Sequence, residues 1–198
     1  RKKVLKAYGA EVYYTDPLEG SDGAILEARE KYNSDPEKYF KPDQYNNPSN
    51  WKAHYDGMAK EIIEQTNGEI THFVAGVGTT GTLVGTSKRL LEYNPKIKIY
   101  SVEPDNGFHG IEGWKHLDTS IVPGIYDSSV IDQILRVSTD ESYDMTKRLA
   151  KEEGLLVGLS SGAVFKSCLD LSAKIDSGTI ITVFPDSGER YLSTPVWR

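Results

Sequence analysis

The run Phe73-Val74-Ala75-Gly76-Val77-Gly78-Thr79-Thr80-Gly81-Thr82 crowds glycines and hydroxyls between an apolar stretch and a helix-forming one. That pattern suits an anion site. Backbone N–H groups at a helix start point outward, and the helix dipole reinforces them. Glycine lets the backbone come close to the ligand. Thr79, Thr80 and Thr82 add hydroxyl donors. The spacing Gly76-x-Gly78-x-x-Gly81 also satisfies a dinucleotide fingerprint, and Glu103 follows roughly 20 residues on, where a ribose-binding carboxylate would stand. Three hydroxyl residues suit a terminal phosphate monoester better than a pyrophosphate. An NAD(P)-dependent oxidoreductase domain stays open as a second reading, and a tight turn that binds nothing as a third.

A second group is Gly158-Leu159-Ser160-Ser161-Gly162-Ala163, again between an apolar run and a helix. An ordinary serine cap is one reading. The other places Ser160 against a heteroaromatic nitrogen. A neutral hydroxyl there would leave a pyridine cofactor only moderately electron-withdrawing. Other reactive residue types carry less. His54, His72, His109 and His116 make no ligand spacing with Cys168, so no metal site is expected. Cys168 sits mid-helix beside Leu169 and reads as packing. Asp186 and Ser187 lack the G-x-S-x-G elbow of a hydrolase. Lys88 and Lys166 lie on the helices after the two loops and read as solvated.

The elements that must position these loops alternate in type. Ile70 to Val74 reads as a buried strand, Thr82 to Tyr93 as a helix and Ile97 to Glu103 as a strand. An irregular segment from Pro104 to Asp132 leads to a strand at Ile134 to Val137. Thr139 caps a helix that ends at Gly154. Ser161 leads into another helix, through about Lys174, and Thr179 to Phe184 is the last strand. The order predicts an α/β fold: an open, mostly parallel sheet with helices on both faces. Upstream, Glu11 to Thr15 reads as a short strand, Ser21 or Asp22 as the cap of a helix through Tyr32, and Trp51 to Thr66 as one helix. The loop from Asn33 to Asn50 is the expected domain boundary. The opening residues Arg1 to Tyr8 read as the last turns of a basic helix stopped by Gly9. A chain that starts inside a helix without Met is expected to have lost an upstream part.

Composition excludes several classes. The 198 residues hold 23 Lys plus Arg against 29 Asp plus Glu, a net charge of -6, which argues against a nucleic-acid binder. Hydrophobic residues at 38% and charged ones at 26% describe a globular chain rather than a disordered one. No apolar run reaches the roughly 20 residues of a membrane span, and no signal peptide is expected. The one cysteine forbids an internal disulfide and suits the reducing cytoplasm.

Four motifs in order resemble the cysteine synthases, the family of O-acetylserine sulfhydrylase and cystathionine β-synthase within the pyridoxal-phosphate (PLP) enzymes of fold type II. They are Gly78 to Thr82; Ser160 to Ala163; Phe184-Pro185-Asp186-Ser187-Gly188-Glu189-Arg190-Tyr191-Leu192-Ser193-Thr194; and Gln44-Tyr45-Asn46-Asn47-Pro48 followed by His54-Tyr55. The double threonine and His109-Gly110-Ile111-Glu112-Gly113 are similar to the B-type enzymes. The resemblance implies a homodimeric, PLP-dependent transferase that replaces the β-substituent of an O-activated serine with sulfide or a thiol. It implies that Gly78, Thr79, Thr80, Gly81 and Thr82 hold the cofactor phosphate, that Ser160 meets the pyridine nitrogen and that Gln44 helps hold the substrate carboxylate. Lys115 would face an anionic β-substituent, against a plainer reading as a surface lysine. It further implies that residues 1–50 are the remainder of a small mobile substrate domain and 51–198 the large PLP-binding domain. The family's S-x-K-D-R motif with the Schiff-base lysine, and its T-S-G-N-T loop, are not in these residues. The chain is therefore expected to lack the N-terminal third and to be inactive alone. A non-catalytic fold type II scaffold is the remaining alternative.

Overall fold

The computed structural model describes residues 2–197. They pack as two compact units, Arg1–Pro42 and Asp43–Arg198. In the first unit, helix α1 spans Lys2–Ala7 and buries no residue. Arg1, at the start of the expected basic helix, lies outside the described residues. Gly9 ends the helix at φ +77°, its N–H bonding to Lys6 O at 2.9 Å while Ala10 N–H reaches Leu5 O at 3.1 Å. These paired bonds are how a left-handed glycine closes a helix. The strand expected at Glu11 to Thr15 does not form. No strand pairs with that segment among the described residues, so its composition has no ladder to join, and Tyr13 and Tyr14 stay exposed. Helix α2 spans Gly20–Ser34. Its capping departs from expectation: Asp16 accepts from Leu18 N–H at 2.9 Å and starts a 3-10 turn that runs into α2, placing Ser21 and Asp22 inside the first turn.

The second unit carries the sheet. The expected helix from Trp51 to Thr66 is two, α3 (Ser49–Asp56) and α4 (Met58–Gln65), separated by the non-helical backbone of Gly57. Then come β1 (His72–Gly76), α5 (Gly81–Tyr93), β2 (Lys98–Pro104), β3 (Gln133–Val137), α6 (Thr139–Glu152), α7 (Leu159–Ser172) and β4 (Ile180–Thr182). All pairings are parallel, in the order β3-β2-β1-β4. Side chains alternate across the sheet as strand geometry requires. Phe73, Ala75 and Ile99 join Ile62 of α4 and Leu83 and Leu90 of α5. Val74, Val102 and Val137 join Ala163, Val164, Cys168 and Leu171 of α7 on the other face. The expected open parallel sheet with helices on both faces is what forms. Each fully buried side chain of this kind contributes about 1.5–3 kcal/mol.

Two boundaries differ from expectation for physical reasons. Ser138, not Thr139, caps α6: it accepts from Glu141 N–H while the Glu141 carboxylate accepts from Ser138 N–H, a reciprocal capping box. Thr139 Oγ1 is used instead to accept Gly110 N–H at 2.8 Å. The last strand stops at Thr182, so Val183 and Phe184 leave the ladder and become cavity wall.

Cys168 is buried in the α7 face of the core, and burial pushes its thiol up to about 12. Little thiolate forms in the folded chain near neutral pH, and the thiolate is the reactive form. The folded chain should resist a disulfide reagent at pH 8 and react within seconds in urea; rapid labelling without denaturant would contradict this burial. In the unfolded chain the thiol ionises near its usual value. Cys168 therefore contributes stability that is fully present below about pH 9 and lost as pH rises toward 12.

Candidate active site

The chain leaves β1 through α5 to β2 and on to β3 on one side, then returns through α6 and α7 to β4 on the other. The sheet order therefore reverses at β1 and β4, and a crevice opens beyond their carboxyl ends. Open α/β sheets bind ligands there. A cavity of about 350 Å³ occupies the place, with Thr82, His54, Trp114, Ser160, Phe184 and Pro185 in its wall. Three segments distant in sequence thus meet: the turn after β1, the first turn of α7 and the chain after β4.

The turn after β1 has the more unusual geometry. Thr80, the N-cap of α5, holds φ +71° and ψ -5°. A β-branched residue in that left-handed region costs about 1–3 kcal/mol, and such strain clusters at functional sites. Thr80 is 2% exposed, yet its hydroxyl has no protein partner. The N–H groups of Gly78, Thr79 and Thr80 also take no partner among the described residues. Thr79 Oγ1 is held by Asn50 Nδ2 at 3.0 Å, and Thr82 Oγ1 lies 3.3 Å from His54 Nε2. Burial lowers the His54 pKa, so the ring is neutral near pH 7. The two glycines answer to close approach. A Cβ on Gly78 would lie 2.5 Å from the Gly113 carbonyl oxygen, and one on Gly81 would lie 1.9 Å from Asn50 Oδ1. An unpartnered buried hydroxyl, unused amides and the start of a 13-residue helix fit a phosphate group.

Ser160 is 6% exposed and lines the same cavity. It is not a cap: Gly158 holds the N-cap position of α7, with no side-chain bond to the helix. The buried hydroxyl of Ser161, expected to lead into the helix, also has no partner among the described residues.

The remaining expected residues divide. Gln44 is exposed and reaches the turn after β1 through Asn50, whose amide donates both to Gln44 O at 2.7 Å and to Thr79 Oγ1. Lys115 is not solvated. It is 2% exposed, its N–H donates to Val77 O at 2.9 Å, and its ammonium lies 5.5 Å from the Tyr45 ring centroid. It is brought to the Tyr45 loop rather than to the cavity wall. Lys88 and Lys166 are part-exposed ion-pair partners of Asp127 and Asp170. Glu103 overturns the dinucleotide reading. It is 1% exposed, and its Oε2 accepts from Arg136 Nη1 at 2.9 Å and Leu117 N–H at 3.1 Å. The carboxylate anchors a loop instead of waiting for a ribose. Asn50 and Trp114 were missed. Both act through tertiary contacts that leave no local sequence pattern.

Comparison with known proteins agrees with this geometry. Residues 1–186 match the family described as "Pyridoxal-phosphate dependent enzyme". A cysteine synthase of Aquifex aeolicus is 51% identical over 100% of this chain and 62% of its own length. One from Staphylococcus aureus is 38% identical over 100% of this chain and 66% of its own. Among solved structures, the O-acetylserine dependent cystathionine beta-synthase of Helicobacter pylori superposes with TM-score 0.91 at 36% identity, covering 100% of this chain and 66% of that one. An O-ureido-L-serine synthase superposes with TM-score 0.90 at 34% identity, covering 100% and 64%. The chain thus spans a little under two thirds of these proteins. The chain therefore belongs to the pyridoxal-phosphate dependent enzyme family.

Proposed function

We propose that this chain forms the phosphate- and ring-binding part of a cysteine synthase, which replaces the β-substituent of an O-activated serine with sulfide or a thiol. The observation that carries the reading is Thr80: a strained, buried threonine whose hydroxyl and neighbouring amides are left for a ligand. Relatives named cysteine synthase support the reaction class. Bound pyridoxal phosphate supplies an electron sink that acidifies the substrate's α-carbon and lets the β-substituent depart. The chain's own residues do the rest of the work assigned here. Gly78, Thr79, Thr80, Gly81 and Thr82 bind the phosphate. Ser160 meets the ring nitrogen with a neutral hydroxyl, which cannot hold a proton there as a carboxylate would, and so favours β-elimination over transamination. Gln44 holds the substrate carboxylate, and residues 1–50 belong to the mobile substrate domain, although the packing division falls at Pro42. The Schiff-base lysine comes from sequence outside these residues. The enzyme is read as a cytoplasmic homodimer.

Lys115 supplies the substrate test. A buried cation beside the Gln44–Tyr45 loop would favour an anionic leaving group such as phosphate. In the complete PLP-loaded enzyme, cysteine should form from an O-activated serine and sulfide. Lys115→Ala should lower kcat/KM for O-phosphoserine by about tenfold or more, the loss of one charged contact, and leave O-acetylserine nearly unchanged. Equal losses on both substrates would assign Lys115 to packing under Tyr45. Absence of cysteine with either would remove the proposed reaction.

A further inference from the structure

The first turn of α7 carries Ser160 but has no side-chain cap, so something else must aim it. The chain after β4 does so. Gly158 N–H donates to Asp186 O at 3.0 Å, Val157 and Ser187 form an antiparallel bridge, and Gly188 N–H donates to Leu156 O at 3.0 Å. Within that segment the Tyr191 hydroxyl donates to Asp186 Oδ2 at 2.6 Å. Tyr191 is 3% exposed and packs with Leu159, the residue before Ser160, and with Val196. The pair presses on Gly158: a Cβ there would lie 1.9 Å from Asp186 Oδ1 and 3.0 Å from the Tyr191 ring. Phe184 and Pro185, immediately before Asp186, line the same cavity as Ser160.

We propose that Asp186 and Tyr191 are positioning residues: their hydrogen bond locks the 184–191 segment onto Gly158 and so fixes the Ser160 hydroxyl at the ring nitrogen of a bound pyridine phosphate. The inference rests on the reading of Ser160 as the ring-nitrogen partner, and its test separates the two.

The probe is pyridoxine 5′-phosphate, which has no aldehyde and so needs no lysine, added to the whole chain. Its near-ultraviolet band reports the state of the ring nitrogen, and titration of that band gives its affinity. Ser160→Ala should move the bound band with affinity changed less than about threefold, since the phosphate contacts remain. Tyr191→Phe keeps the ring packing and removes only the donor. It should move the band as well, and in the double variant the two effects should not add, as expected of groups acting as one unit. Asp186→Ala should reproduce the shift, while Asp186→Asn, which keeps an acceptor for the Tyr191 hydroxyl, should largely restore the wild-type band. A band that moves in Ser160→Ala but in neither Tyr191→Phe nor Asp186→Ala overturns the positioning role alone. A band that moves in none of them removes Ser160 from the ring nitrogen and the inference with it. Absence of probe binding in the wild-type chain removes the phosphate turn as well.

Discussion

Gly78→Asp is expected to abolish binding of pyridoxine 5′-phosphate, with affinity falling by at least about a hundredfold. Two effects act together. The first is steric, because the Gly78 Cβ position lies 2.5 Å from a backbone oxygen, that of Gly113, which cannot swing aside like the end of a flexible side chain. The second is charge. A carboxylate within about 4 Å of the phosphate costs roughly 1–4 kcal/mol per unit charge between bulk water and a protein surface. Gly78→Ala isolates the first effect and should fall between wild type and Gly78→Asp. Thr80→Gly is the informative companion. Glycine adopts φ +71° without strain, so the fold should hold, but the buried hydroxyl is gone. Its affinity should fall by about two- to tenfold, the worth of one hydrogen bond. Calorimetric titration measures all three, and a Gly78→Asp chain that binds the probe like wild type would remove the turn as the phosphate site.

The parts of this site legible in sequence are the local ones. Glycines and hydroxyls between a strand and a helix announce the anion turn, because the turn's chemistry lies within a few consecutive residues. The same holds for the sheet, whose strands shift by only one or two residues from their expected places. The strain at Thr80 was not legible: threonine disfavours a positive φ, and only the packing around the turn imposes it. Glu11 to Thr15 shows the reverse error, a strand composition with no partner to pair with. The plainer reading of Lys115 as a surface lysine fails because burial of a lysine depends on a loop that returns from far along the chain. Glu103 was placed correctly at the end of its strand, while the ribose role that the rival reading gave it does not hold. The role it does hold is set by Arg136, its neighbour across the β2–β3 register, 33 residues away.

This last pair supports a stability prediction. Glu103 sits 1% exposed between Arg136 and the Leu117 amide, and Arg136 extends further to Pro104 O at 3.3 Å and Asp118 Oδ2 at 2.9 Å. Arg136→Ala leaves the carboxylate buried with one backbone donor, Leu117 N–H, and removes the Asp118 contact from the loop that carries Trp114 into the cavity wall. Breaking a fully buried pair costs about 3–5 kcal/mol. The Arg136 side chain is 35% exposed, so water recovers part of that loss and about 2–4 kcal/mol is expected. Glu103→Gln should cost less, because the amide oxygen still accepts from both donors and no charge is stranded. The double variant Glu103→Gln/Arg136→Ala should be more stable than Arg136→Ala alone, since removing the stranded charge outweighs losing the second partner. Urea unfolding of the four chains gives the comparison through their midpoints. If Arg136→Ala unfolds within about 0.5 kcal/mol of wild type, or if the double variant is the least stable of the four, the loop is held by packing and Glu103 is not its anchor.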